Sequence, residues 1–181
     1  LSWTGDALGL ETSAYHPYLS SGWNRTNAYR LMGFESQYYQ DQIINGSAFD
    51  TEYDDSEIVR QFVSDSADFD RIYRTTEQAN SAGKGSFIFN VTMQNHSGYA
   101  LSWKHLSRSV SLTGDFAEQN YDNSTSQYLA LATATDQALE ELIEHYSQIE
   151  EPTVILFFGD HQPPLSNQLY KDIYGKSLDD R

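Results

Sequence analysis

The sequence contains no cysteine, so disulfide bonds, thiolate metal sites and thiol nucleophiles are all excluded. Basic residues are also scarce, because 11 Lys and Arg stand against 26 Asp and Glu and give a formal net charge of −15. A surface of this charge repels polyanions, and we therefore expect no nucleic-acid partner and no docking on anionic lipid through general surface charge. An anionic ligand would need a local positive centre, such as an arginine, a protonated histidine or a metal ion.

The sequence has no apolar run of membrane-spanning length, no signal peptide, no internal repeat and no low-complexity linker. It also lacks an initiator methionine and begins without a helix cap or an anchor signal. We therefore expect residues 1–181 to be one part of a longer protein. Its length and its 39% content of hydrophobic residues are those of a globular domain with a sizeable core.

Short apolar runs alternate with helical patterns along the chain, which is typical of an α/β fold with helices flanking a mostly parallel sheet. The predicted strands are 11–16, 34–39, 86–93 and 153–158. The predicted helices cover 24–32, two amphipathic stretches within 54–83, and 124–149. The first amphipathic stretch would place Ile58, Val59, Phe62 and Val63 on one face of a helix. Residues 100–123 are polar and are predicted to form a surface loop.

The order of these elements predicts where one functional site lies. A helical crossover joins the strands 86–93 and 153–158, so the two strands should be parallel in one sheet. Ligands of open α/β sheets bind at the carboxyl ends of the strands. His96 follows one of these strands, Asp160 and His161 follow the other, and His16 ends the strand 11–16. We therefore expect three histidine-bearing loops to converge on one cleft.

The residues of these loops suit particular chemistry. A carboxylate beside an imidazole, as in Asp160-His161, suits a divalent cation such as Mn²⁺, Zn²⁺ or Mg²⁺. The alternative is a helix-capping aspartate beside a surface histidine. His96 could bind an anionic ester oxygen, donate a proton to a leaving group, or have only a structural role. We assign His105 and His145 to structural positions, the latter near a helix C-terminus.

The segment "HPYLSSGWNR" (16–25) contains the residue types of a pocket for a small polar headgroup that carries an anion. Trp23 offers a flat apolar wall, and Arg25 offers a planar fork for bidentate contact with phosphate or carboxylate. His16 adds a third polar group. The alternative interpretation makes Trp23 a core anchor and Arg25 a surface cation.

Taken together, "HPYLSSGWNR", "NVTMQNHSGY" and "FFGDHQPPL" resemble, in order and spacing, the second half of lipoteichoic acid synthase-like phosphoglycerol transferases. These enzymes form one branch of the sulfatase and alkaline phosphatase superfamily. The resemblance implies that residues 1–181 are the C-terminal part of one sulfatase-like catalytic domain. It further implies an extracellular domain of a bacterial membrane protein that transfers glycerol phosphate from phosphatidylglycerol through a phospho-threonine. Sulfatases are proteins of the same superfamily.

The resemblance also implies roles for individual residues. Asp160 and His161 would be two ligands of a divalent cation, most often Mn²⁺. His96 would bind phosphate or handle a proton, and His16, Trp23 and Arg25 would form the glycerol-phosphate pocket. One departure is Tyr18, where some relatives carry an acidic residue, and this leaves the headgroup preference open.

The nucleophilic threonine and a further carboxylate ligand are expected upstream of Leu1, outside this sequence. Two ligands hold a catalytic ion weakly, so we expect this chain alone to bind metal weakly and not to turn over. Two alternatives stay open: a sulfatase or phosphodiesterase that uses the same site, and a non-catalytic domain that binds an envelope polymer through its Tyr and Trp side chains.

Overall fold

The computed structural model describes residues 2–46, 53–99, 102–108, 110–117, 119, 121 and 123–176. The chain divides into two compact units, Leu1–Gln94 and Asn95–Arg181. None of the helices among the described residues combines the length and the apolar character that crossing a membrane requires.

The first unit is a small α/β layer structure. In chain order it contains α1 (Ser2–Ala7), β1 (Glu11–His16), α2 (Arg25–Leu31), β2 (Ser36–Tyr39), β3 (Ile43–Ile44), β4 (Ile58–Val59), β5 (Phe62–Val63), α3 (Asp65–Ser81) and β6 (Ser86–Asn90). The main sheet has the order β3-β2-β1-β6, in which β1 is parallel to both β2 and β6, and β3 is antiparallel to β2. The predicted α/β fold with a mostly parallel sheet and flanking helices is confirmed.

Side-chain alternation along β1 builds a core on both faces of this sheet. Ala14 belongs to a buried cluster with Tyr29 of α2, Phe34 and Tyr39. The next residue, Tyr15, points to the opposite face, where its ring stacks on Tyr38 at 4.3 Å between centroids and its hydroxyl bonds to Thr75 of α3. Since α2 and α3 cover opposite faces, the end of β1 at His16 is enclosed from both sides.

The first of the two helices predicted within 54–83 is wrong, whereas the second is confirmed as α3. Residues 58–63 form an antiparallel hairpin in which Ile58 pairs with Val63 and Val59 with Phe62. The hairpin and a helix share the same apolar spacing here, because the four apolar residues are grouped in two pairs. The backbone of Arg60 distinguishes the two structures. Its φ of 58° is a value that primed hairpin turns require and that an α-helix excludes.

The second unit contains α4 (Asn123–Ser147) and α5 (Asn167–Tyr174), preceded by a 3₁₀ turn at Gly114–Phe116. The predicted helix 124–149 is confirmed as α4, and its apolar side chains Ala130, Leu131, Ala138 and Leu142 are buried. The predicted strand 153–158 is wrong for this structure. Its residues have no regular secondary structure, and the side chains of Val154 to Phe158 are between 40% and 95% exposed. A strand requires a neighbouring strand for its backbone groups, and none pairs with this segment among the described residues.

Candidate functional site

His16 ends β1 and is fully buried at the carboxyl edge of the sheet. Its Nδ1 lies 3.1 Å from the carbonyl oxygen of Val91, the residue that follows β6. Because a carbonyl only accepts hydrogen bonds, Nδ1 carries a proton, and in the neutral ring Nε2 carries the lone pair. Gly22 lies against this face of the ring, since a Cβ built there would be 3.9 Å from Nε2. The ring is therefore held in one orientation.

Trp23 and Arg25 stand beside His16 in a tight turn. Trp23 and Asn24 have φ values of 49° and 55°, which are uncommon for residues with a Cβ and cluster at functional sites. The Trp23 ring lies 5.6 Å from the His16 ring and is 55% exposed. The turn is tied to the loop after β2, because the Ser20 amide and hydroxyl donate to Asp41 at 2.8 and 3.0 Å. Trp23 thus presents an apolar face to solvent from a fixed backbone.

Arg25 begins α2 and has an unsatisfied guanidinium. Its Nη1 donates to the Tyr29 hydroxyl at 3.1 Å, and its Cζ lies 5.5 Å from the centre of the Trp23 ring. No carboxylate of the described residues forms an ion pair with it, and its Nε–H is buried without a hydrogen-bond partner there. A buried donor without a partner costs free energy, and an acceptor, best an anion, would offset that cost.

Three further aromatic side chains lie around this group, and only one of them, Tyr18, was connected with the pocket by the sequence. Tyr29 lies one turn after Arg25 on the same face of α2, a spacing visible in the sequence. Tyr18 lies 5.6 Å from Trp23 and 5.9 Å from Phe62 between ring centres. Phe62 was not predicted to lie near this group, because the sequence pattern placed it on one face of a helix. Burial raises the pKa of Tyr29 despite the nearby Arg25, so this phenol stays neutral.

His96 opens the second unit and is half-buried. Its neighbours tie it to α4: the Asn95 amide donates to the Thr135 hydroxyl at 2.8 Å, and the Tyr99 ring contacts Tyr128 at 5.6 Å. Tyr99 also donates to the Asn95 carbonyl at 3.0 Å. The loop that carries His96 is therefore held within its own unit.

Asp160 and His161 lie in the same unit on an exposed loop, and their side chains are 72% and 69% exposed. Asp160 Oδ2 and His161 Nε2 are 3.6 Å apart. Two ligands about 2.1 Å from one divalent ion are separated by roughly 3–3.5 Å, so this pair fits a shared cation with little adjustment. Among the described residues no group of three or more His, Cys, Asp or Glu side chains could hold a metal. The pair alone would supply only part of the donor set that a divalent cation needs.

The structure brings His16, Trp23 and Arg25 together within the first unit, as the sequence predicted. The cleft that would join this group to His96 and to Asp160-His161 involves both units and stays a prediction.

Comparison with known proteins gives the family. Residues 2–180 match the family model described as Sulfatase. Two curated relatives come from Rhizobium meliloti (strain 1021). A putative cyclic beta-1,2-glucan modification protein is 26% identical over 94% of this chain, and the capsular polysaccharide biosynthesis protein RkpI is 29% identical over 88%. The chain spans 24% and 25% of the lengths of these two relatives.

Two solved structures share the fold. The phosphoglycerol transferase GacH from Streptococcus pyogenes, solved in complex with sn-glycerol-1-phosphate, matches with a TM-score of 0.63 at 20% identity, over 92% of this chain and 40% of that one. The lipoteichoic acid synthase LtaP from Listeria monocytogenes matches with a TM-score of 0.60 at 15% identity, over 78% of this chain and 31% of that one. The fold and the family model agree along nearly the whole sequence, and the chain belongs to the sulfatase family.

Proposed function

We propose that the protein containing this chain is a metal-dependent phosphoglycerol transferase. It would take glycerol phosphate from a phosphatidylglycerol-like headgroup through a phospho-threonine that lies outside residues 1–181. Membership of the sulfatase family supports chemistry on sulfate or phosphate esters. The two solved structures that share the fold are a lipoteichoic acid synthase and a phosphoglycerol transferase. The observation that carries the proposal is the unsatisfied guanidinium of Arg25 between Trp23 and Tyr29.

The group around Arg25 offers a cation and an aromatic face, the two kinds of contact that a glycerol-phosphate headgroup would use. The guanidinium would bind the phosphate oxygens, and the exposed face of Trp23 would cover the glycerol carbons. His16 Nε2, fixed by the bond from Nδ1 to Val91, would accept a hydrogen bond from a glycerol hydroxyl. Tyr18 stands where some relatives carry an acidic residue, so a phenol replaces a charge at the rim of the pocket.

The reaction would be an in-line displacement in two steps. In the first step the threonine hydroxyl would release its proton to water, and its oxygen would form a bond to phosphorus while the bond from phosphorus to the diacylglycerol oxygen breaks and His96 donates a proton to that leaving oxygen. In the second step the acceptor oxygen would form a bond to phosphorus while the bond from phosphorus to the threonine oxygen breaks. His96 would then accept the proton of the acceptor hydroxyl, and the threonine oxygen would take a proton from water. Arg25 would stabilise the negative charge that develops on the phosphoryl oxygens in both steps.

Asp160 and His161 would supply two ligands of a divalent cation, most often Mn²⁺ in this kind of site, and the remaining ligands would come from outside this chain. When bound, such an ion lowers the pKa of a hydroxyl nucleophile and neutralises charge on the ester oxygens. The two side chains are exposed, and the contacts described for them are local: Asp160 accepts from the His161 N–H, and His161 Nδ1 lies 3.1 Å from the Gln162 carbonyl oxygen. They are thus available to an ion.

The acceptor we propose is a hydroxyl group of an envelope polysaccharide. The names of the two curated relatives refer to modification of a cyclic glucan and to biosynthesis of a capsular polysaccharide. The reaction would take place at the extracellular face of the bacterial membrane, with the protein anchored by a segment outside this chain.

Hydrolysis of a sulfate or phosphate ester by the same site is the second candidate, and the family match itself favours it. Assays on the whole protein separate the two candidates. The first candidate predicts release of glycerol phosphate from phosphatidylglycerol and its transfer to a saccharide. The second predicts release of sulfate from an aryl sulfate or of phosphate to water.

Binding of sn-glycerol-1-phosphate to this chain tests the pocket itself. Arg25→Gln should weaken binding by about ten- to a hundredfold, because a charge-assisted hydrogen bond contributes about 1.5–3 kcal/mol. Arg30→Gln is the matched control, since Arg30 is an exposed arginine on the same helix. NMR titration of the Trp23 indole signal measures both affinities. Equal affinities for the two variants would contradict the proposed role of Arg25.

A further inference from the structure

Arg60 occupies a position that costs free energy in two ways. It lies at the tip of the β4–β5 hairpin with a φ of 58°, a conformation that glycine and asparagine adopt far more readily. It is also only 5% exposed, although arginine is seldom buried. A glycine would form the same turn without either cost. The guanidinium must therefore contribute something that the turn itself does not need.

One contact of Arg60 is with the end of the first unit. Its Nη2 donates to the carbonyl oxygen of Gln94 at 2.8 Å. Gln94 is 2% exposed, and its side-chain Oε1 accepts from the Asp65 amide at 3.1 Å. The hairpin thus binds the main chain of Gln94, and the N-terminus of α3 binds its side chain. Gln94 lies four residues after Asn90, the last residue of β6, so pairing within the sheet does not hold it. His96 follows two positions later.

A second contact of Arg60 is with the aromatic wall beside His16, formed by Phe62, Tyr18 and Trp23. Its Cζ lies 5.3 Å from the centre of the Phe62 ring. Phe62 in turn contacts Tyr18, whose ring lies 5.6 Å from Trp23 and 6.0 Å from His16. A planar guanidinium can stack on a ring and donate along its edge at the same time, which an ammonium cannot do. Arg60 therefore joins the wall of the pocket to the segment that leads into His96.

We propose that Arg60 is a positioning residue of the proposed headgroup pocket: anchored on the carbonyl of Gln94, it fixes through Phe62 the position of Tyr18 beside His16 and Trp23. This inference rests on the proposed function for its chemical purpose. The effect of Arg60 on Tyr18 and on the neighbouring His16 ring does not need a ligand.

The experiment uses the 181-residue chain with ¹⁵N-labelled histidine and tyrosine, first without ligand. Arg60→Asn removes the guanidinium but suits a positive φ, so the hairpin should survive. Arg60→Lys keeps a cation that can donate to Gln94 without the planar stack. Arg74→Asn, an exposed arginine of α3, is the matched control. Circular dichroism and thermal unfolding establish which variants are folded.

We expect the His16 imidazole and the Tyr18 amide signals of Arg60→Asn to shift or broaden, those of Arg60→Lys to change less, and those of Arg74→Asn to match the unmodified chain. Unchanged His16 and Tyr18 signals in folded Arg60→Asn would overturn the proposal. If that variant unfolds, ¹⁵N relaxation of the unmodified chain decides: the amide of Tyr18 should be rigid, with an order parameter near 0.85, and a value below about 0.6 would overturn the proposal.

A titration with sn-glycerol-1-phosphate then separates this inference from the proposed function. Arg60→Asn should bind about tenfold more weakly than the unmodified chain, with Arg60→Lys between them. Binding that is equal in all three would overturn the positioning role. No binding by the unmodified chain would count against the proposed function, and the ligand-free spectra would still decide the role of Arg60.

Discussion

At the scale of single residues, the chain places charged groups where burial is expensive, and the reasons differ from site to site. Arg25 is half-buried, and its Nε–H has no hydrogen-bond partner among the described residues; the anionic ligand that we propose would provide one. Asp68 is fully buried on α3, and the Asn90 side-chain amide donates to it at 2.6 Å. Asp68 belongs to the helix that covers the Tyr15 face of the sheet, and we treat its burial as a matter of stability.

Asp68 gives a pH-dependent stability. Burial raises its pKa to about 7; the Asn90 hydrogen bond opposes this, Asp65 adds to it and Arg71 opposes it. An unfolded aspartate titrates near 3.9, so between about pH 4 and 7 the folded chain keeps a proton that the unfolded chain has released. The contribution of Asp68 to stability is therefore greatest at low pH and declines as the pH rises through this window.

Asp68→Asn should remove this decline and increase the free energy of unfolding at pH 8 by about 1–3 kcal/mol. Asp70→Asn, at an exposed position of the same helix, should leave the pH profile unchanged. Urea unfolding at pH 5 and pH 8 measures both. A loss of stability in Asp68→Asn that is equal at the two pH values would show that the carboxylate is not protonated in the folded chain.

At the scale of elements, the spacing of apolar residues predicted a helix or a strand correctly where that spacing is compatible with only one of the two. The strand 11–16 and the long helix 123–147 are of this kind. Residues 58–63 are not, because two apolar pairs separated by two residues suit a helical face and a two-residue hairpin equally well. The deciding feature was the backbone of Arg60, and an arginine gives no sequence signal for a positive φ. Arg60 and Phe62 were missed as parts of the site for this reason.

The apolar segment 153–158 shows what spacing cannot predict. Its composition is that of a buried strand, yet its side chains are exposed in this chain. Exposed apolar runs of this kind mark surfaces that another element covers. We expect a strand from the rest of the sulfatase domain to pair with it in the whole protein, since this chain corresponds to 31–40% of the two structures that share its fold.

Leu156→Asp tests this interpretation. In the 181-residue chain it should leave the melting temperature within about 2 °C and reduce self-association, because the side chain is 81% exposed. Leu142→Asp, at a buried position of α4, should unfold the second unit. Thermal unfolding and light scattering distinguish these results. A large loss of melting temperature in Leu156→Asp would mean that the segment already packs within the chain.

At the scale of the whole molecule, the family could be predicted from the resemblance of three short motifs, and the alternation of apolar runs with helical patterns predicted the α/β fold. The group of His16, Trp23 and Arg25 follows from a single strand and the turn after it, and the Trp23 ring lies beside both the His16 ring and the Arg25 guanidinium. The convergence of this group with His96 and Asp160 depends on long-range packing, which local sequence does not determine.

Metal affinity is expected to be weak in this chain, because Asp160 and His161 offer only two ligands. Calorimetry should show Mn²⁺ binding with a dissociation constant well above that of the whole protein, and Asp160→Asn should abolish what remains. In the whole protein, chelation with EDTA should abolish transfer, and added Mn²⁺ should restore it. Tight stoichiometric binding of Mn²⁺ by this chain alone would contradict the account.

The most direct test of the common cleft is paramagnetic broadening of the histidine side-chain signals by Mn²⁺. With the ion at Asp160 and His161, the imidazole signals of His16 and His96 should broaden at the same Mn²⁺ concentrations as His161. Asp160→Asn should abolish the broadening of all three. A His16 signal that stays sharp while His161 is broadened would show that the ion and the headgroup pocket are far apart, and the proposed site would be wrong.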